Sequence, residues 1–374
     1  MYKYIAIALV SLAWCGCTHN VMEEEPTDPI VPEHGYIFFN TEVASRGELI
    51  EDETLEKNFS VLGYSYTGEW IAAKALATPD VFAPNHPQTI TWASNKHSYT
   101  PLKEWVPKKK YAFFAYYPTS LTPSANTKEG NPYIDFTLPS RSNAAGHVDV
   151  MTAHIVDTDA SSPNVSFTMK HRLTAIDVLA RNLNDKYEGK DVYVNISKIS
   201  IQFDNLLYDK VRIPLNSVDE PDLMYSFGFA NNQTATFPIY ENATPLKLAP
   251  NSNDSESVPL TSSAQNNTMI VIPQDRYIDV DQNSNGTIEE SEKAIEHTLT
   301  GKFIIKYDYV DGNNTSLGLV TDPTVDKEIS FRFPKDLKSG RRYYILLNFS
   351  RSAVTIAFVE SDEWKDKEVE YEFE

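Results

Sequence analysis

The most specific arrangement of chemically active residues in this sequence is a polar run at 281–292. Oxygen-bearing side chains recur along it at Asp281, Asn283, Asn285, Thr287, Glu289 and Glu292. With Gly286 at the sixth position and Ile288 at the eighth, the spacing matches the calcium loop of an EF-hand. Calcium takes about six to eight oxygen ligands, which side chains, the Thr287 carbonyl and a bidentate Glu292 would supply. The sequence therefore predicts a Ca²⁺ site here.

The segments around this run differ from those of a paired EF-hand, in which one helix enters the loop and another leaves it. A predicted strand at 269–273 precedes the run, and only residues 289–297 could form a helix after it. Without an entering helix the site is less preorganised, and extracellular calcium sites bind with Kd values of about 10⁻⁴–10⁻³ M. The alternative interpretation is a polar hairpin tip rich in Asn and Gly, which needs no metal.

Both cysteines lie near the N-terminus, at Cys15 and Cys17, so the rest of the chain can form no internal disulfide or thiol active site. They follow an apolar stretch at 5–14 that is too short to span a bilayer and has the length of an export-signal core. The Gly16-Cys17 pair resembles the lipobox of bacterial lipoproteins, which predicts a signal peptide at 1–16 and acylation of Cys17, with palmitate among the chains. A soluble secretory signal is the alternative.

Acidic residues dominate the charge of the chain. Its 374 residues include 52 Asp and Glu against 33 Lys and Arg, for a formal net charge of −19. Such a field repels a phosphate backbone, which disfavours nucleic acid as a partner. Residues 17–34 combine an acidic run with closely spaced prolines and cannot bury apolar surface, so we expect an extended tether there.

Short strands account for the hydrophobic pattern of the rest of the chain. They are predicted at 36–39, 59–64, 111–118, 165–169, 174–180, 192–203, 269–273, 303–310, 329–333, 343–349 and 354–359. Short helices are predicted only near 79–82 and 289–297. Strands spaced by turns, without regularly interleaved helices, favour an all-β fold of sandwiches.

The length of the chain corresponds to about two domains. A polar stretch at 157–163 separates two sets of predicted strands near the middle of the sequence. We therefore predict tandem β-sandwich domains at 35–160 and 161–374. Trp70, Trp92, Trp105 and Trp364 are interpreted as core or inter-sheet anchors.

An ordered set of segments resembles the fimbrillin family of bacterial surface lipoproteins. The segments are 38–47, 59–64, 99–105, 113–118, 167–173, 269–274 and 340–347, followed by Trp364. The resemblance implies two transthyretin-like (Ig-like) β-sandwich domains that serve as subunits or tips of a pilus (fimbrium). It also implies a surface-exposed protein, lipid-anchored in the cell outer membrane, whose partners are other pilus subunits or surface proteins.

Arg46 follows the first predicted strand and is the only arginine before Arg141. In polymerising members of the family that the chain resembles, an Arg-specific protease removes the first strand and leaves a hydrophobic groove for a neighbouring subunit to fill. The resemblance thus implies proteolytic processing at Arg46. In the alternative interpretation, Arg46 only blunts an exposed edge strand.

The C-terminal segment 368–374 alternates strictly, with Val369, Tyr371 and Phe373 on one face and glutamates on the other. Such alternation predicts a strand with one buried face. It is either the last strand of the second domain or a donor strand that augments a neighbouring subunit.

Local signatures of the common enzyme classes are missing from the sequence. There is no Gly-x-Ser-x-Gly elbow, His-Glu-x-x-His pair or phosphate-binding Gly-x-x-x-x-Gly-Lys loop. We therefore expect a protein that is not an enzyme and that acts in pilus assembly or adhesion. The alternative is a carbohydrate-binding surface lipoprotein of a glycan-uptake system, which exposed aromatic side chains on one sheet face would distinguish.

Overall fold

The computed structural model describes most of the chain beyond the tether. The described residues are 35–43, 55–74, 79–83, 85–124, 132–138, 147–208, 210–215, 225–226, 229–250, 257–261, 268–273, 277–278, 295–296, 298–333 and 336–361. Within them the only helix is the single turn α1 (Trp70–Ala73), and the all-β prediction is confirmed. None of the described helical structure is long and apolar enough to cross a membrane.

The first eight strands contain most of the aromatic runs seen in the sequence. They are β1 (Phe38–Val43), β2 (Phe59–Tyr66), β3 (Gln88–Ala93), β4 (Lys96–Ser98), β5 (Lys110–Tyr117), β6 (Tyr133–Thr137), β7 (Met151–Thr158) and β8 (Asn164–His171). The helix predicted at 79–82 is wrong, because Phe82 instead forms an isolated bridge to Gly63 with backbone hydrogen bonds in both directions.

The remaining strands vary widely in length. They are β9 (Thr174–Asn182), β10 (Lys186–Tyr187), β11 (Lys190–Asp191), β12 (Tyr193–Tyr208), β13 (Lys210–Pro214), β14 (Tyr225–Ser226), β15 (Phe229–Leu248), β16 (Val258–Pro259), β17 (Met269–Val271), β18 (Tyr277–Ile278), β19 (Ile295–Glu296), β20 (Thr300–Val310), β21 (Lys327–Arg332), β22 (Arg342–Phe349) and β23 (Val354–Ser361). The helix predicted at 289–297 lies outside the described residues except for β19, which is extended rather than helical.

A seven-stranded sheet with the order β1-β8-β7-β5-β2-β3-β4 occupies the N-terminal half. Its centre is β5, in which nearly every side chain is buried. Tyr111, Phe113 and Ala115 pack on one face of the sheet, whereas Phe114 and Tyr116 pack on the other. A continuous apolar run is what a strand covered on both faces requires.

The polar stretch at 157–163 connects β7 to β8 within this sheet. Met151 is paired with His171 and Thr152 with Lys170 in an antiparallel ladder, and Asp159 caps the connection by accepting hydrogen bonds from Ser161. The stretch is therefore polar because it is a hairpin connection, and the change to the next sheet comes after His171. The division into domains 35–160 and 161–374 stays a prediction.

Two sheets of the C-terminal half share one core. The four-stranded sheet has the order β15-β12-β20-β21, and the five-stranded sheet has the order β16-β9-β22-β23, with β17 also paired to β9. Ile201 and Phe303 from the first sheet lie in the same buried cluster as Val178 and Ile345 from the second. This cluster forms because alternate residues of long strands point to one side.

A small sheet, β14-β13-β6, links the two halves. Its β6 strand precedes β7 in the chain but is paired over five residue pairs with β13. Ile134 of β6 lies in the cluster on the β5 face, whereas Phe136 packs with Val211 and Ile213 against Leu173. The halves are therefore joined by a strand ladder as well as by the β8–β9 connection.

Candidate assembly site

The first strand, β1, is the end strand of the seven-stranded sheet. It forms a parallel ladder of six residue pairs with β8, from Phe38 opposite Asn164 to Val43 opposite Met169. The other neighbouring strands of this sheet are antiparallel. Parallel neighbours cannot be joined by a tight hairpin. No hairpin links β1 to β8, and the covalent connection of β1 to β2 and the rest of the sheet runs through the residues after Val43.

Side chains of β1, and of Ile37 just before it, alternate between the core and solvent. Ile37, Phe39 and Thr41 are buried, at 0%, 3% and 3% exposure. Phe38 and the two polar residues that alternate with the buried ones point outward, with Phe38 44% exposed. This two-residue period is that of a strand with one buried face.

The ring of Phe39 lies at the centre of an aromatic cluster. Its centroid is 5.2 Å from that of Phe113, 5.6 Å from Tyr99, 5.7 Å from Phe167 and 6.1 Å from Phe82. These four rings line what we call the β1 groove. Aromatic pairs at such distances contribute about 0.5–1.5 kcal/mol each beyond their buried area. A strand that fills this groove therefore needs a large apolar side chain at the position of Phe39.

Backbone hydrogen bonds hold the residues at the start of β1. The Ile37 amide donates to the Lys103 carbonyl at 2.9 Å, and the Trp105 amide donates to the Gly35 carbonyl at 3.3 Å. The Tyr99 hydroxyl donates to the Ile37 carbonyl at 2.9 Å. Burial raises the pKa of Tyr99, which keeps this hydroxyl protonated and able to donate. These contacts come from 99–105, a segment outside the β1–β8 ladder.

The residues to which the sequence assigns chemistry lie outside the described part of the chain. They are Cys17, Arg46, Asp281, Asn283, Asn285, Thr287, Glu289, Glu292, Val369, Tyr371 and Phe373. Lipidation, cleavage, calcium binding and strand donation thus stay predictions. Within the described residues, no group of three or more His, Cys, Asp or Glu is placed to hold a metal ion.

The described structure nevertheless reaches close to three of these predicted features. Arg46 follows the end of β1, at Val43, by three residues. The calcium run lies between β18 and β19, whose four residues form a short antiparallel ladder. The C-terminal segment follows β23, the last strand of the five-stranded sheet.

In the described residues, aromatic side chains are mostly buried. Trp70 and Trp105 are 7% and 2% exposed, as predicted for core anchors, and Trp92 is half-buried with its ring 4.7 Å from that of His97. Trp364 lies outside the described residues. Among the described large hydrophobic residues that are exposed, Phe38 is the one aromatic. The aromatic sheet face that would favour glycan binding is therefore not found in the described part of the chain.

Two buried pairs of polar side chains were not predicted from the sequence. Oδ2 of Asp149 lies 2.7 Å from Nδ1 of His171. Asp177 lies 3.6 Å from Arg342 and accepts hydrogen bonds from two threonine hydroxyls, Thr261 and Thr268. A charged residue inside an apolar strand run requires partners of this kind, so Asp177 within 174–180 was the signal available in the sequence.

Comparisons with known proteins agree with this architecture. The sequence model of the fimbrillin-like family matches residues 52–362. A solved fimbrial protein from Bacteroides vulgatus ATCC 8482 is similar in structure, with a TM-score of 0.59, 20% identity, and 88% of this chain and 99% of that chain covered. A candidate cell adhesion protein from Bacteroides ovatus ATCC 8483 aligns with a TM-score of 0.49, 14% identity, and coverage of 89% and 98%.

No curated protein matches the chain. The solved fimbrial protein from Bacteroides vulgatus, at 20% identity, supports the fold alone, whereas the family match spans most of the sequence itself. It begins shortly after Arg46 and ends just beyond β23, so it includes the strands that form the β1 groove. On this match, the chain belongs to the fimbrillin-like family.

Proposed function

We propose that this chain is a surface fimbrial subunit or adhesin that assembles by exchanging β1 for a strand of another subunit. The observation that carries the proposal is the position of β1 at the sheet edge, where its only ladder is the parallel one with β8 in the described structure. A cut at Arg46 would leave β1 attached by non-covalent contacts alone. Its departure would open the β1 groove. The role is structural and adhesive, with no catalysis assigned.

The C-terminal segment is the strand that we propose as the donor. Val369, Tyr371 and Phe373 recur with the same two-residue period as the inward side chains of β1. A strand added to a sheet edge gains affinity from main-chain hydrogen bonds and specificity from pockets for alternate side chains. The glutamates between the three apolar residues would face solvent, where they oppose indiscriminate edge pairing.

Cleavage and strand donation can be tested separately on the purified chain. We expect an Arg-specific protease to yield a species that starts at Gly47 and forms polymers visible by electron microscopy. Arg46→Gln should abolish both, whereas Arg141→Gln serves as the matched control and should leave both intact. Polymerisation of the Arg46→Gln variant at the wild-type rate would contradict the proposal.

Deletion of residues 367–374 tests the donor. We expect a monomer that is cut normally, unfolds at nearly the wild-type temperature and no longer polymerises. If the segment is instead the last strand of its own fold, three apolar side chains leave the core at about 1.5–3 kcal/mol each. A marked fall in the melting temperature of the deleted monomer would therefore assign the segment to its own domain.

A further inference from the structure

The buried position of Thr41 is unfavourable for its hydroxyl group. Its side chain is 3% exposed, and its Oγ1 has no hydrogen-bond partner in the described part of the chain. Thr41 lies opposite Phe167 in the ladder with β8 and follows Ile37 and Phe39 along the inward face of β1. A buried hydroxyl loses its hydrogen bonds to water on folding and is stabilised only if it finds a new partner. Thr41, the third inward side chain when Ile37 just before β1 is counted as the first, therefore weakens the binding of the strand.

A second buried polar atom at this end of the sheet is also without a partner in the described residues. It is Nε1 of Trp105, which lies in the same core cluster as Ile37 and Phe39. Most buried polar groups in native proteins are hydrogen-bonded, so each of these two atoms is an exception among the described residues. The β1 groove with β1 bound therefore contains buried polar atoms that have no partner among the described residues.

The C-terminal segment has no threonine among its three alternating apolar and aromatic residues. Val369, Tyr371 and Phe373 alternate along it, and only Tyr371 carries a hydroxyl, at the far end of its ring rather than next to the backbone. A strand of this kind can fill the first, second and third inward positions without burying a threonine hydroxyl. Replacement of β1 by such a strand would remove the uncompensated desolvation of Oγ1.

We infer that Thr41 makes β1 a replaceable strand: its buried hydroxyl, which has no partner among the described residues, weakens the binding of β1 in the β1 groove and favours exchange for a donor with an apolar side chain at the third inward position. The inference rests on the proposed function. It assigns the preference to one residue of this chain and defines the partner strand by its side-chain pattern.

Thr41→Val provides the test, because valine keeps the shape of threonine and removes the hydroxyl. We expect the melting temperature of the uncut full chain to rise by about 1–3 °C. After cleavage at Arg46, a synthetic peptide of residues 366–374 should displace β1 roughly five- to thirty-fold more slowly than in the wild type. Release of the N-terminal fragment, followed by mass spectrometry, gives the rate.

Thr168→Val is the matched control, since Thr168 lies in the same ladder opposite Glu42 but is exposed. It should change neither quantity. Thr41→Ala removes the methyl group as well and separates lost packing from the lost hydroxyl, because only packing loss lowers the melting temperature.

The outcomes separate this inference from the proposed function. If wild-type β1 is displaced by the peptide and Thr41→Val exchanges at the same rate, the inference is wrong and the proposed assembly stands. If the cut wild-type chain neither exchanges nor polymerises, both are overturned. A lower melting temperature for Thr41→Val would also overturn the inference, because it would show that the hydroxyl is satisfied in solution.

Discussion

At the scale of single residues, Gly301 is a glycine that no larger residue can replace without a steric clash. It lies in β20 between Phe203 of β12 and Phe331 of β21. A Cβ at this position would stand 2.3 Å from the Gln202 carbonyl oxygen and 2.6 Å from the Phe331 ring. Neither backbone nor a packed ring can move away by that much without disturbing the sheet. The glycine thus leaves room for the Phe331 ring to lie against the backbone at this position.

Gly301→Ala should therefore destabilise the chain. Overpacking of a well-packed core typically costs about 1–3 kcal/mol, and we expect at least that loss in the free energy of unfolding measured by urea denaturation. Gly312→Ala is the control, because a Cβ there would meet nothing nearer than a Tyr193 ring atom at 3.9 Å. Equal stability of the two variants would contradict this account of Gly301.

Histidine titration gives a second prediction at this scale. Burial and the nearby charges of Arg172 and Lys170 lower the pKa of His154 from its ordinary value of 6.5. The unfolded chain therefore binds a proton at His154 at a higher pH than the folded chain does. The contribution of neutral His154 to the stability of the fold is fully present above about pH 6.5 and is lost as the pH falls toward the lower pKa of the folded state. Burial also lowers the pKa of His97, which adds in the same direction.

We expect the melting temperature to fall between pH 7 and pH 5, and His154→Gln to reduce that fall. His86→Gln changes an exposed histidine and serves as the control. Thermal unfolding followed by circular dichroism at each pH gives the measurement. An unchanged pH dependence in the His154 variant would show that other groups account for the acid sensitivity.

At the scale of elements, the strands with both faces buried are the ones that the sequence predicts best. β5 and β22 contain continuous apolar runs, and the predicted ranges 111–118 and 343–349 agree with their bounds. The first strand was predicted at 36–39 but extends from Phe38 to Val43, because Thr41 is polar yet points inward. Its parallel pairing with β8 depends on tertiary structure, so no local pattern could reveal it.

The longest strand, β15, escaped prediction because its pattern is broken. Its sequence is rich in Asn, Thr and Pro, and its ladder with β12 contains four register shifts. Each shift moves the following side chains relative to the faces of the sheet, so no two-residue period persists along the strand. Its position is set by pairing with β12 rather than by its own hydrophobicity.

The pairing of β18 with β19 bears on the calcium prediction. Tyr277 lies opposite Glu296 and Ile278 opposite Ile295, so the chain returns to its starting point after the run at 281–292. We propose that Ca²⁺ binds this run. A strand rather than a helix leads into it, which agrees with the weak affinity expected of an extracellular site.

Isothermal titration should detect one weak calcium site that Glu292→Ala abolishes, because the bidentate ligand is lost. Glu290→Gln is the matched control, since Glu290 lies in the same run at a position without a ligand role. The control should bind calcium within about threefold of the wild type. The absence of heat at millimolar calcium in the wild-type chain would contradict the prediction.

At the scale of the whole molecule, we propose that a lipid on Cys17 and the tether at 17–34 connect the fold to the outer membrane. Cys17→Ala should release the protein from the membrane fraction, whereas Cys15→Ala should not. Two or three acyl chains should hold almost permanently, because each buried CH₂ contributes about 0.8 kcal/mol. Unchanged partitioning of the Cys17 variant in cell fractionation would contradict this anchor.

The arrangement of the two halves was the least predictable feature of the molecule. Family resemblance and strand patterns gave the all-β class, but the pairing of β6 with β13 joins residues about eighty positions apart. Neither strand was predicted, because β6 contains Asp135 and β13 contains Arg212, which alternate with apolar residues over only five positions. These two side chains meet across the ladder at 2.8 and 2.9 Å.

The β6–β13 ladder gives the molecule a mechanical property. β6 leaves the first sheet after β5, pairs with β13 and leads back to the first sheet at β7, so each half is tied to the other by more than the backbone that runs from β8 into β9. A tensile load applied along a chain of subunits would be divided between that backbone and the five-pair ladder with its Arg212–Asp135 contact. The two halves would then unfold together under load, as one mechanical unit rather than as two independent ones.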